Sequence, residues 1–240
     1  MLRIVLVVCL LCSSACSMTS VRHRQGFDEV LNRKTIAGMP AEIKVNMVGA
    51  FGSKERQYNY EEHLDELLLN EASKILKTKG YKVRVVSRKT LSKANNFDAY
   101  DDLKESIERV SLELYKTPMM AEEKAYNIDT KVHEPVSKLK KLGDGQVLLF
   151  IDYINNITTN GARVVNVLAG GKQAVDSSAI LLLFLDANTG DVLWSNMVRF
   201  DKGLGADLFE SSDHKERDSK HLHRILAGAL ANFPKKSTLD

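Results

Sequence analysis

Two segments of the sequence that are apolar almost throughout constrain the fold most. They span residues 147–151 and 180–185. A strand that is covered on one side alternates apolar and polar residues, whereas a strand that is apolar on both faces needs a layer of helices above and below it. The sequence therefore predicts a layered α/β protein with these two segments at the centre of its sheet.

A strand, a helix and a second strand are predicted upstream of these segments. Residues 42–51 alternate at first, residues 64–76 repeat apolar side chains with a helical period, and Gly80 suits the left-handed turn after a helix. Residues 81–87 read as the second strand. This order is a β-α-β unit, for which a right-handed crossover is expected.

The rest of the chain is predicted to be helical first and then a hairpin. Residues 98–142 are mainly helical, and residues 186–190 form a turn after which one face of a strand is apolar, carrying Val192, Trp194, Val198 and Phe200. Residues 222–233 form a last amphipathic helix. The predicted fold class is α/β (α+β): a single mixed sheet of about four to six strands, helices on its faces, an early β-α-β unit and a late β-hairpin.

The N-terminus has the layout of a secretory leader. One base, Arg3, precedes an apolar run at 4–11, and small residues precede Cys16. The run is shorter than the roughly 20 residues of a transmembrane helix. All three cysteines lie within this region, at Cys9, Cys12 and Cys16, so no disulfide framework is expected in the folded part.

The residues before Cys16 resemble the lipobox of bacterial lipoproteins. Ser14 and Ala15 fit it, while Ser13 stands where leucine is usual, and Ser17 resembles the residue after the cysteine in lipoproteins sorted to the outer membrane. This resemblance implies acylation of Cys16. Ser13 and Ala15 also satisfy ordinary signal peptidase, which would release a soluble protein instead. The expected organisation is a signal peptide at 1–15, a lipidated N-terminus and tether at 16–40, and a periplasmic α/β domain at 41–240.

No catalytic, metal or cofactor site is predicted. His221 and His223 lie two apart and would diverge on a helix, which disfavours a metal site with His214. Residues 186–191 resemble a calcium loop only in part, and residues 170–172 lack the pattern of a phosphate loop. A net charge of +3 is too small to indicate nucleic acid. A hydrolase with catalytic residues scattered along the sequence stays open.

The hairpin carries a second resemblance. Asp186, Thr189 and Gly190, followed by residues 192–195, are similar to a D-x-x-T-G-x-x-L-W-S hairpin of envelope lipoproteins. That group comprises neisserial-type lipoproteins of unknown function, the curli secretion channel family, the lipoprotein activators of penicillin-binding proteins and the N-terminal domain of TolB. The resemblance implies a binding or assembly role and carries over no catalytic residue.

The sequence thus predicts a non-enzymatic lipoprotein, anchored in the outer membrane, facing the periplasm and docking an envelope protein partner. Recognition of the partner is expected in two polar stretches, 155–178 and 202–218. Within the first stretch, residues 164–168 are interpreted as a possible edge strand. The candidate partner-binding residues are Asn160, Arg163, Lys172, Asp207 and Phe209. The alternative is a carrier or sensor lipoprotein for a small molecule, glycan or lipid.

Overall fold

The computed structural model describes residues 18–115, 128, 130–132, 136–143, 146–168, 176–200 and 214–236. Within these ranges eight strands form one mixed sheet. The strands are β1 (Met18–His23), β2 (Ile36–Gly38), β3 (Glu42–Val48), β4 (Lys54–Arg56), β5 (Val83–Val85), β6 (Val147–Thr158), β7 (Ser177–Asp186) and β8 (Val192–Phe200). The helices are α1 (Phe27–Arg33), α2 (Tyr58–Thr78), α3 (Arg88–Lys93), α4 (Phe97–Tyr115), α5 (Val136–Gly143), α6 (Asn160–Leu168) and α7 (His214–Ala229), and a 3-10 turn spans Ala50–Gly52.

Strand β6 is the centre of this sheet. One edge of β6 pairs antiparallel with β7, which continues to β8 and then to β1. The other edge pairs in parallel with β2 at its start and with β3 along the rest of its length. Strand β5 lies beyond β2, and β4 pairs with the end of β3.

The side chains of β6 point alternately into two separate hydrophobic layers. Val147, Leu149, Ile151 and Tyr153 pack in the layer that also contains buried residues of α2 and α7. Leu148 and Phe150 pack in the opposite layer, with buried residues of α4 and α5. Helices thus lie on both faces of the sheet, as the apolar segments predict.

Three side chains bridge the short interruption between β2 and β3. The backbone N–H of Ala41 donates to Asp65 at 2.8 Å, and Arg88 donates to the carbonyl of Ala41 at 2.8 Å. The hydroxyl of Tyr100 donates to the carbonyl of Pro40 at 2.6 Å. The backbone groups of Pro40 and Ala41 thus find their hydrogen-bond partners on α2, α3 and α4 instead of on a neighbouring strand.

The fold class is confirmed, and the sheet is larger than the predicted four to six strands. The strands that were not predicted are β1, β2 and β4, and β2 and β4 have only three residues each. The β-α-β unit is present around α2, but β5 pairs with Ile36–Gly38 rather than with the predicted first strand. The late hairpin is β7 and β8, with Gly190 in the left-handed region at φ 75°.

Three local interpretations differ from the structure. The segment expected as a tether contains β1, α1 and β2, because β1 completes the edge of β8. Residues 164–168 belong to helix α6 and not to an edge strand. Val192 lies in the α4 layer, opposite to Trp194, because a register shift opposite Phe184 and Leu185 turns the strand over.

We expect Tyr100→Phe to lower the free energy of unfolding by about 1–3 kcal/mol, because it leaves the buried carbonyl of Pro40 without its donor. Urea unfolding followed by the fluorescence of Trp194, the single tryptophan, measures this change. Tyr58→Phe is the matched control, since the Tyr58 side chain is 66% exposed. Equal stability of the two variants would contradict the assignment.

Candidate functional site

Helix α4 lies across the strands and is fixed near each end by a tyrosine. Near its start Tyr100 reaches Pro40, between β2 and β3. At its end the hydroxyl of Tyr115 lies 2.6 Å from the hydroxyl of Ser195 on β8 and donates to the carbonyl of Ser20 on β1 at 3.3 Å. The two tyrosines are separated by about 22 Å of helix, at 1.5 Å per residue. The helix therefore spans the sheet from β3 to β1.

A groove lies along α4, over the part of the sheet that the helix leaves uncovered. Its volume is about 1170 Å³. The wall is formed by residues of α4, including Ile107, Glu108 and Leu112, and Leu112 is 68% exposed. The floor is formed by β3, β6, β7 and β8, with the apolar side chains of Phe150, Ile154, Ala179, Leu181, Leu183 and Met197. We call this feature the α4 groove.

Carboxylates outnumber cations around the α4 groove. The acidic residues that line it are Glu42, Asp101, Glu105, Glu108, Glu113 and Asp152, and the basic ones are Lys44, Lys104 and Arg199. Some of these charges compensate one another, since Lys104 lies 3.0 Å from Glu42 and 3.7 Å from Asp101. The surplus is negative although the whole chain carries a formal net charge of +3. The groove therefore favours cationic groups.

Asp152 is the polar residue in the middle of the apolar floor. Its Oδ1 atom is buried, and no hydrogen-bond donor from the described part of the chain reaches it. Burial raises the pKa of Asp152; Lys44 opposes this rise, and the charges of Glu42 and Glu108 add to it. Glu42 is its direct neighbour across the sheet. Asp152 thus has a buried oxygen without a donor among the described residues, and such a group is a candidate for contact with a ligand.

A second polar cluster lies on the opposite face, between α2, α7 and the sheet. Asp218 is fully buried, 3.6 Å from Nε2 of His63 and 3.7 Å from Nε of Arg217. Burial raises the pKa of Tyr60 well above its ordinary value, and the neighbouring Asp218 raises it further. Asp218 is enclosed, whereas the side chains of His63 and Arg217 are 37% and 36% exposed. We interpret the cluster as a polar connection between α2 and α7.

The histidines of the last helix have separate partners. Nδ1 of His223 lies 3.0 Å from Glu71 on α2, which also accepts from Ser219 and Lys74. Nδ1 of His221 lies 3.0 Å from Arg224, and burial followed by the charge of Arg224 lowers the pKa of His221 to about 4. Among the described residues, no group of three or more His, Cys, Asp or Glu side chains could hold a metal ion.

The residues proposed from the sequence for partner binding do not form one site in the described structure. Cys16, Lys172, Asp207 and Phe209 lie outside the described residues. Asn160 begins α6. Arg163 is on the same helix and donates to Asp176 at 2.9 Å, and Asp176 also accepts the backbone N–H of Thr158. Arg163 therefore holds α6 against the start of β7.

The sequence reasoning missed the α4 groove and Asp152. One signal was available: Asp152 directly follows the apolar run 147–151 and lies within the same long strand. A carboxylate at such a position is costly to bury and therefore marks a possible site. The other walls of the groove depend on the direction of α4, which a periodic pattern does not contain.

Comparisons with known proteins give no family. No protein-family model matches the sequence, and no curated protein matches it. A solved structure of the PelC dodecamer from Paraburkholderia phytofirmans is 11% identical, with a TM-score of 0.37 over 89% of this chain and 96% of that chain. A single-residue variant of that dodecamer is 7% identical, with a TM-score of 0.36 over 90% of this chain and 96% of that chain. Likeness at this level carries no argument about function.

The described residues also bear on membrane insertion. None of the helices in the described ranges is both long enough and apolar enough to cross a bilayer.

We expect Asp152→Asn to be more stable than the wild type at neutral pH. Because the pKa of Asp152 is raised in the folded state, the fold binds its proton more tightly than the unfolded chain does. The free energy of unfolding should therefore fall as the pH rises from the ordinary aspartate range through this raised pKa. In more acidic solution Asp152 is protonated in both states, and the advantage of the variant should vanish.

Urea unfolding at several pH values measures this difference. Asp101→Asn is the control, because Asp101 is a rim carboxylate whose side chain is 66% exposed. A pH dependence that is the same in the wild type and in Asp152→Asn would contradict the prediction.

Proposed function

We propose that this protein is a lipid-anchored lipoprotein of the bacterial envelope that catalyses no reaction and docks a periplasmic or outer-membrane protein in the α4 groove. The observation that carries the proposal is the uncovered apolar floor of that groove. Most side chains of β6 and β7 are buried, yet the paired apolar residues Ile154 and Ala179 are only partly covered. Contiguous apolar surface on a folded domain marks an interaction site.

The charges and size of the groove favour one class of partner. A segment with apolar residues on one face and basic residues on the other would cover the floor and neutralise the surplus of carboxylates. Asp152 would then receive a cationic group at its unsatisfied oxygen. The volume of about 1170 Å³ exceeds the roughly 300–1,000 Å³ of typical small-molecule pockets. We therefore propose a basic amphipathic peptide segment as the ligand.

The composition of the groove supports binding rather than catalysis. Of the described residues that line it, none is a histidine or a cysteine. Nucleophilic catalysis generally requires an activated nucleophile beside a base. Asp152, whose pKa is raised, has Lys44, Glu42 and Glu108 as its charged neighbours in the groove.

The second candidate function is a carrier or sensor for a small molecule, glycan or lipid. The observation that favours it is the same buried Oδ1 of Asp152, which could accept a hydrogen bond from a hydroxyl or an amine of such a ligand. Native mass spectrometry of the protein purified from the envelope distinguishes the two candidates. A retained molecule of fixed small mass would favour the carrier.

Anchoring is tested first. We expect the mature wild-type chain to begin at Cys16, to carry the mass of acyl chains and to sediment with membranes. Cys16→Ala should lose the acyl mass and leave the membrane fraction, because lipid contributes about 0.8 kcal/mol per buried methylene. Cys12→Ala is the control within the leader, and Ser13→Leu should retain or increase acylation. A wild-type chain that is released without lipid would contradict the anchor.

Docking is tested with two model peptides of equal length and equal apolar pattern, one with lysines and one with glutamates on the polar face. We expect the lysine peptide to bind and the glutamate peptide to bind much less, with an affinity that falls as salt screens the charges. Ala179→Trp fills the groove and should weaken binding about tenfold, or about 1.4 kcal/mol. Lys77→Trp, at an exposed site on α2, should not.

Fluorescence anisotropy of the labelled peptides provides the affinities. Equal binding of both peptides would show that charge does not select the ligand. Binding that survives Ala179→Trp would exclude the α4 groove as the docking site.

A further inference from the structure

The chain enters the sheet almost immediately after Cys16. Strand β1 begins at Met18, and Met18 pairs with Arg199 near the end of β8. Two residues of fully extended chain span at most about 7 Å. An acyl chain on Cys16 would therefore hold this end of the sheet against the bilayer, without a flexible tether between the lipid and the fold.

The same end of the sheet is formed by the last residues of β3 and β6. Arg199 also pairs with Ala179, Ala179 pairs with Ile154, and Ile154 pairs with Lys44. Together with Met18 these residues form one row across the sheet. Val48 lies four residues beyond Lys44, about 13 Å further along at 3.3 Å per residue. We call the end that includes Met18, Val48 and Thr158 the anchor end.

Three exposed apolar side chains lie at the anchor end. Phe51 follows β3 in the 3-10 turn and is 91% exposed. Val164 and Leu168 lie on α6, which follows β6, and they are 58% and 81% exposed. Residues four apart share one face of a helix, so Val164 and Leu168 form one exposed strip. Helix α6 contacts the turn that carries Phe51, which places the three side chains in one region.

The backbone at Phe51 is unusual for such a residue. Its φ of 61° lies in the left-handed region, where glycine is favoured; Gly49 precedes the turn and Gly52 is its last residue. The ring nevertheless faces solvent almost completely. The exposed Lys54 lies opposite Val48 in the β3–β4 pair, at the same end. Aromatic rings and lysines are common in protein segments that lie at the interface between lipid and water.

We propose that the anchor end rests on the membrane, with Phe51, Val164 and Leu168 inserted at the lipid–water interface. This inference depends on the proposed acylation of Cys16. The short connection to Met18 favours a bilayer over a protein as the occupant, because it brings the anchor end to the lipid whenever Cys16 is acylated. The α4 groove, whose floor includes Ile154 and Lys44, would then open close to the membrane surface.

The test uses the lipidated full chain in vesicles of phosphatidylethanolamine and phosphatidylglycerol. Single cysteines replace Phe51, Leu168 or Lys77, and each carries an environment-sensitive fluorophore. Labelling is specific, because all native cysteines lie at or before Cys16 and acylation blocks the Cys16 thiol. Lys77 is the control. Helix α2 starts after β4 at the anchor end and runs away from that end, and the exposed Lys77 lies near its far end.

Quenching by nitroxide-labelled lipids decides between the outcomes. We expect the labels at 51 and 168 to lose most of their fluorescence and the label at 77 to keep it. If the protein carries lipid and floats with vesicles, but all three labels respond alike, the inference is wrong and the proposed anchor stands. If mass spectrometry finds no acyl chain on Cys16, the anchor and this inference are both overturned.

Discussion

The arrangement of the helices depends on the burial of both faces of strand β6. Helices α2 and α7 meet this need on one face, where Tyr153 and Ile157 belong to the packed layer. On the other face α4 runs across the strands and covers only the first half of β6. The α4 groove is the remainder of that face. A single choice of helix direction thus gives both a packed sheet and an open groove.

Polar side chains form hydrogen bonds where two helices of one layer meet and where the chain between two strands leaves the sheet. Tyr100 satisfies the carbonyl of Pro40, and Glu71 ties α2 to α7 through Ser219 and His223. Each of these groups has a partner that depends on the fold. Asp152 differs, because its buried oxygen receives no donor from the described residues. That contrast is why Asp152 is assigned to ligand binding and the others to structure.

The sequence predicts the features that depend on a long periodic pattern. The central strands, helix α2 and the apolar face of α7 were all predicted because their periods extend over several turns or strand residues. Strand β1 was missed, since Met18–His23 alternates poorly and is fixed by its pairing with β8. The segment 164–168 was too short to separate a strand from a helix. Val192 was placed on the wrong face because a one-residue irregularity reverses every later side chain.

The candidate site was harder to predict than the fold. A hydrophobic pattern identifies the face of α4 that is buried but not the angle at which α4 crosses the sheet. The groove depends on that angle, and on contacts of Tyr115 with residues far away in the sequence. Asp152 alone could have been noticed, as a carboxylate within an apolar strand.

The pairing of β1 with β8 also sets an order of events during biogenesis. A chain that emerges N-terminus first must keep Met18–His23 unpaired until Val192–Phe200 has followed. A contact between segments this far apart in the sequence carries a large loop-closure cost, so the pairing of β1 with β8 is expected to be a late and slow step of folding. Until that step, the edge of β8 that β1 covers in the finished sheet stays open.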